Sequence, residues 1–285
     1  MFTCALVAAV FVLQDPTANP ADQQKKSTEK QEDYIQSYEV VGKKVSQYQE
    51  EDRIGAYEQP RWTATRRFPT TRVYVVPEGK MEFEFWMRTT VPDGGGPAEV
   101  RYLWELEMGL PYRFQVDLYL GFEGEGSQGS FDFNRQQVEV RWALADWGKI
   151  WGNPTLYVEY VNKVDESDAA EFKVLIGDEL SPGWHWGVNG VFERTLHDEL
   201  NNEWQITGGL SYTVTDMKFS VGLEVQAVWE DVVHERGHYE DVIFIGPSIQ
   251  WHPQGRSTLN VAVLRGVGDD DAADWRTFVN LGWEF

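Results

Sequence analysis

From about residue 80 to its last residue, this chain alternates. "KMEFEFWMRTT" sets Met81, Phe83, Phe85 and Met87 against Glu82, Glu84 and Arg88. "VRYLWELEMGL" sets Tyr102, Trp104, Leu106 and Met108 against Arg101, Glu105 and Glu107. "KFSVGLEVQAVWE" sets Phe219, Val221, Leu223, Val225, Ala227 and Trp229 against Ser220, Gly222, Glu224 and Gln226. A period of two puts alternate side chains on opposite faces of a β-strand, and helical spacing fits none of these runs. Twelve such segments are predicted, at about 80–91, 98–110, 113–125, 131–144, 155–164, 169–180, 183–197, 203–215, 218–231, 239–253, 257–268 and 274–285. Any fold of this chain must give each strand one apolar and one polar surface.

The connections narrow the choice. Longer, polar or Gly-rich stretches ("VPDGGGP", "EGEGSQGS", "DESDA", "HDELNN", "DVVHERGHYE", "GDDDAAD") alternate with tight ones ("LPY", "SPG", "TDM", "HPQGRS"). Only "ADWGKIWGNP", residues 145–154, breaks the short set. Long loops at one end and short turns at the other are the asymmetry of a transmembrane up-and-down β-barrel, and an even strand count returns both chain ends to one side. Closure removes the edges that a twelve-stranded open sheet would expose.

The last strand, "WRTFVNLGWEF", ends in Phe285, with Trp283, Leu281 and Val279 on the same face. This pattern resembles the C-terminal assembly signal of bacterial outer-membrane β-barrel proteins, a porin-like class. The resemblance covers about residues 80–285 as an architecture, and its specific motif is the last strand alone. It implies a Gram-negative outer membrane as location, outer-membrane lipid around the wall and the barrel-assembly machinery as a partner during biogenesis. It also puts the short turns in the periplasm and the long loops outside. Trp142, Trp184, Trp251 and Trp283 then fall at the periplasmic edge, and Trp204, Trp229 and Trp275 at the outer edge, as two aromatic girdles.

If the apolar face meets lipid, the polar face points into the lumen. The expected pore-lining set is Glu82, Glu84, Arg88, Arg101, Glu105, Glu107, Arg113, Asp117, Glu139, Arg141, Glu159, Glu171, Lys173, Glu193, Glu224, Arg276 and Glu284. Carboxylates are in excess, so the groups must be hydrated or paired. Either a narrow aqueous channel, acidic and cation-leaning, or an Arg–Glu network that fills the barrel satisfies this. Twelve strands lie between barrels filled by side chains and barrels with open channels, so size does not decide. The first reading makes the protein a passive pore for small solutes. The second makes it a closed structural or adhesive scaffold that holds a periplasmic or extracellular partner.

The N-terminal part is different in texture. "MFTCALVAAVFVLQ" has the apolar run of a secretory signal, expected over residues 1–18 although a positive n-region is missing. Residues 19–70, rich in Gln, Lys, Glu, Asp and Ser, read as a polar periplasmic arm or linker, and the barrel is expected over 71–285. Within the arm, "YEVVGKK" faintly resembles the energy-coupling box of large outer-membrane receptors. Cys4 is the one cysteine, so no disulfide can form within the chain. The formal net charge of -21 argues against nucleic acid as a partner.

Catalytic and metal chemistry find little support. His234-Glu235-Arg236-Gly237-His238 matches H-E-x-x-H, but zinc chemistry needs both histidines on one helix face, and this stretch joins two alternating strands. His185, His197 and His252 are scattered, with no nucleophile beside them. "GDDDAAD" has the oxygen ligands calcium needs, yet such runs are commonly solvated loops. No cofactor, metal or catalytic residue is expected. Residues 145–154, with Trp147, Ile150 and Trp151, read as an interfacial turn, or else as a partner site or a segment entering the lumen.

Overall fold

A computed structural model describes residues 48–92, 96–125, 131–197, 200–233, 236–237, 239–268 and 274–285. The expected signal segment, residues 19–47 of the arm, His234, Glu235, His238 and most of "GDDDAAD" lie outside them. Among the described residues, twelve strands form one closed antiparallel barrel. They are β1 (Met81–Val91), β2 (Glu99–Leu110), β3 (Phe114–Glu125), β4 (Asp132–Ala143), β5 (Thr155–Lys163) and β6 (Ala169–Ser181). The circuit continues with β7 (Trp184–Thr195), β8 (Asn202–Thr215), β9 (Phe219–Asp231), β10 (Tyr239–Gln254), β11 (Ser257–Gly268) and β12 (Trp275–Glu284). Each strand pairs with its sequence neighbours, and β12 closes the ring on β1 from Trp275↔Val91 to Glu284↔Glu82. Observed and expected strand ends agree to within about two residues. Among the described residues no helix is long and apolar enough to cross a membrane. Strands of this length can cross one.

The wall is inside-out relative to a water-soluble protein. Phe83, Trp104, Leu118, Leu120, Val140, Phe172, Leu223 and Leu281 are exposed, whereas Glu82, Glu84, Glu105, Glu107, Asp117 and Glu139 are buried. The two sets alternate along the strands, so the apolar face is outside and the polar face is inside. The seven tryptophans expected to form girdles lie near strand ends, four toward the short turns and three toward the long loops. Several lean on aromatic neighbours across the sheet, such as Trp204 on Phe192 at 4.4 Å and Trp184 on Tyr212 at 4.9 Å between ring centroids.

One small apolar cluster, Phe244, Ala262 and Leu264, belongs to the wall, but the larger one is built mainly by a segment outside it. Tyr57, Trp62, Phe68, Val73, Tyr74 and Val75 cluster with Ala143 and Trp147, all buried. The expected arm does not stay outside the barrel: from Tyr48 onward it runs into the lumen. It enters at the short-turn end, where the Gln49 and Glu50 backbone N–H groups donate to Asp216 at 2.8 and 3.1 Å. A two-residue antiparallel pair, Arg53–Ile54 with Gln59–Pro60, folds it back on itself. The chain reaches mid-barrel at Arg66–Thr71 and returns through residues 72–80 to begin β1. The barrel wall therefore begins at Met81, at the expected first strand. Apolar groups such as Phe68 cannot remain in water at low cost, and the lumen is the surface available to them inside this wall.

Candidate functional site

Glycines on the inward face make room for the lumen segment. A Cβ on Gly209 would lie 2.5 Å from the Phe68 ring, and one on Gly177 the same distance from Val73. Any larger residue there would collide with the segment. Wall side chains also satisfy its backbone, as burial requires. Asn189 accepts from the Arg72 N–H at 2.8 Å and donates to the Arg72 carbonyl at 2.6 Å. Gln115 accepts from the Val76 N–H at 2.7 Å, and Gln250 donates to the Arg66 carbonyl at 2.6 Å. Glu224 accepts from both the backbone and the hydroxyl of Thr70.

Charge locks the segment in place. Arg66 pairs with Glu84 at 2.9 Å, Glu105 at 3.2 Å and Glu107 at 3.4 Å, and its guanidinium sits 4.1 Å over the Trp86 ring. Arg72 pairs with Glu107 and lies 3.8 Å from Glu105. On the wall itself, Arg141 holds Asp117 at 3.1 Å and also pairs with Glu139. The six carboxylates Glu82, Glu84, Glu105, Glu107, Asp117 and Glu139 thus face three guanidinium groups, two of them brought in by the segment. Glu84, Glu105 and Glu107 bring oxygens within 4.8 Å of one another, as do Glu105, Asp117 and Glu139. A cation could be held there, but arginines already fill that role.

Arg67 forms a second lock nearer the short turns. Its guanidinium donates to Ser211 at 2.9 Å, Gln250 at 2.9 Å and Glu50 at 3.2 Å, and contacts His185 Nδ1 at 2.8 Å. Burial raises the Glu50 carboxyl above its ordinary range, with Arg67 pulling the other way. Residues 145–154 complete the floor. Trp147 is buried edge-on to Trp62 at 5.8 Å and Tyr74 at 5.3 Å, whereas Trp151 stays 78% exposed. Trp147 packs on the lumen segment, which accounts for the unusual length of this connection.

Above the segment, the long-loop half of the barrel holds a cavity of about 660 Å³ floored by Arg66, Pro69 and Thr70. Of the expected pore-lining residues, Arg88, Arg101, Glu159, Glu171, Lys173, Glu193 and Arg276 line this vestibule. Glu82, Glu84, Glu107, Asp117, Glu139 and Arg141 lie below it around the segment, Glu105 touches both regions, and Glu224 holds Thr70. Two others sit elsewhere. Arg113 is in the β2–β3 turn, bonded to Asp146 at 3.0 Å, and Glu284 meets Lys80 at 3.4 Å at the short-turn end. Arg66, Arg67, Arg72 and Phe68 were not among the expected site residues. The inward glycines opposite them were the sequence signal for a buried segment. In the H-E-x-x-H stretch, Arg236 and Gly237 form a turn between β9 and β10, with Arg236 paired to Asp231 at 2.7 Å.

No known protein-family profile matches the chain. No curated protein matches it either. Solved structures do. An outer membrane channel from Pseudomonas putida F1 superposes with a TM-score of 0.53 at 10% identity, over 75% of this chain and 98% of that one. The NanC porin gives 0.49 at 12% identity over 72% and 98%, and the KdgM porin 0.46 at 10% over 72% and 99%. At such identities the likeness concerns the fold alone: the closed twelve-stranded barrel of this chain is similar in fold to that outer membrane channel.

Proposed function

We propose that the chain is a bacterial outer-membrane channel for small solutes whose own residues 48–80 close the short-turn half of the lumen. The observation that carries this reading is the buried lock of Arg66 and Arg72 on Glu84, Glu105 and Glu107. A wall built only to be filled could carry apolar residues inward at lower cost than buried ion pairs. These carboxylates gain their counter-charges from a segment that can leave without breaking the sheet. With the segment out, six carboxylates and Arg141 would line that half of the lumen and favour cations. The exposed apolar belt fits outer-membrane lipid, and the last strand (Val279, Leu281, Trp283, Phe285) fits recognition by the assembly machinery. On this reading the short-turn end faces the periplasm.

Planar-bilayer recording of the refolded full chain tests the reading. The parent is expected to be closed for most of the record. The double substitution Arg66→Gln, Arg72→Gln should raise the open fraction at least about tenfold, since breaking buried pairs costs about 3–5 kcal/mol. Its reversal potential should favour cations. Silence in both proteins would contradict a channel. It would favour the second reading, a closed scaffold, which the fully buried Phe68, Val75 and Gln59 within the lumen also support.

A further inference from the structure

The vestibule sorts its charges by side. Strands β12, β1 and β2 carry Arg276, Arg88 and Arg101 into it. Arg88 stands directly across from Arg101, and Phe278, the partner of Arg88 on β12, is two residues from Arg276. Like charges in such positions repel, and the sheet pays for keeping them. Nearby acids compensate in part: Glu99 lies 3.6 Å from Arg88, and Glu123 lies 3.0 Å from Arg101. Arg276 rests on the Phe244 ring at 4.1 Å and donates to Gln226 at 2.8 Å. The Nε–H groups of Arg88 and Arg276 are both buried without an acceptor.

The opposite arc is its mirror in charge. Glu171 on β6 is directly across from Glu193 on β7, and Glu193 is directly across from Glu203 on β8. The row extends in register to β5 on one side and β9 on the other, again with glutamate at each position. Lys173, 2.6 Å from Glu171, and Lys163, 4.0 Å from Glu166, are the lysines on this arc among the described residues. In a ring of twelve strands β7 is six places from β1, so the middle of the acidic row lies diametrically across the lumen from Arg88. Both arcs line one cavity of about 660 Å³, a volume typical of sites for small molecules, and they meet along one side, where Arg276 donates to Gln226, Gln226 to Gln205 and Gln205 to Glu203.

We propose that this vestibule binds small zwitterions of the amino-acid type, aligned across the lumen. Their carboxylate lies toward Arg88 and Arg276, and their ammonium lies toward Glu171, Glu193 and Glu203. A molecule with both charges answers both arcs at once. A simple anion would face the glutamates, and a simple cation would face the arginines. Binding takes place above the closed segment, so it holds whether or not the barrel conducts.

Calorimetry on the refolded full chain in detergent, with 6-aminohexanoate, hexanoate, hexylamine and calcium as probes, tests this. Folding of each variant is checked by the shift in gel mobility on heating. 6-Aminohexanoate should bind at least about tenfold more tightly than hexanoate or hexylamine. Arg88→Gln, Arg276→Gln should lower its affinity to that of hexylamine, and Glu193→Gln, Glu203→Gln to that of hexanoate. Equal binding of hexanoate or hexylamine would overturn the proposal. So would displacement of the zwitterion by calcium at the acidic row, or failure of every probe to bind.

Discussion

The two halves of the lumen use the same wall in opposite ways. Toward the short turns, the carboxylates of β1 and β2 meet counter-charges delivered by the lumen segment, those of β3 and β4 meet Arg141 on the wall, and little room is left. The two cavities bordered by Trp62–Tyr74 and by Ala64–Val76 are about 10 Å³ each, no larger than a water site needs. Toward the long loops, the same alternation faces the vestibule of about 660 Å³, and the charges divide into two arcs. Filling demands pairing because an isolated buried charge is costly, whereas a hydrated lumen tolerates like charges side by side. The lower half is therefore filled and charge-paired, and the upper half is open.

That contrast can be broken by substitution. Phe68→Ala removes a fully buried ring from the lower half and should cost about 3–5 kcal/mol, read as a shift in the urea midpoint of the refolded protein. Glu203→Gln in the upper half should move the same midpoint by no more than about 1 kcal/mol, because that side chain faces the vestibule. Equal shifts would erase the distinction between the halves. A smaller effect concerns pH at Glu50. Burial raises its carboxyl above the ordinary value of 4.5, so the docked segment favours the protonated form. Its stabilising contribution is complete below that value and is lost as pH rises through the raised one. Glu50→Gln should flatten this part of the stability curve above about pH 4.5. An unchanged slope would remove Glu50 from the account.

The barrel was legible because period two is a strong signal and twelve segments repeated it. Its C-terminal strand, its strand boundaries and the outward placement of tryptophans such as Trp104, Trp204 and Trp283 all follow from that pattern. The lumen segment was not legible because nothing in it is periodic. Trp62, Phe68, Val73 and Val75 are spaced irregularly among polar residues, and a coil that packs inside a barrel has no repeat to display. Residues 48–70 consequently read as part of a free arm. Two cues pointed inward nonetheless. The carboxylate excess required partners that the wall alone could not supply. The inward glycines Gly109, Gly177, Gly187 and Gly209 all sit in the short-turn half, where a solvated lumen has no need of missing side chains. Trp147 was ambiguous for the same reason: an aromatic in a turn suits an interface until there is something inside for it to cover.

The claim that residues 48–80 occupy the lumen is tested most directly by a cross-link. Phe68→Cys and Gly209→Cys, made with Cys4→Ser, place one thiol on the segment and one on the inner wall where the ring and the glycine now touch. The refolded protein should form an intramolecular disulfide under mild oxidation, and ionic current should be blocked until a reductant is added. Two free thiols, both open to a bulky maleimide in the folded barrel, would contradict it.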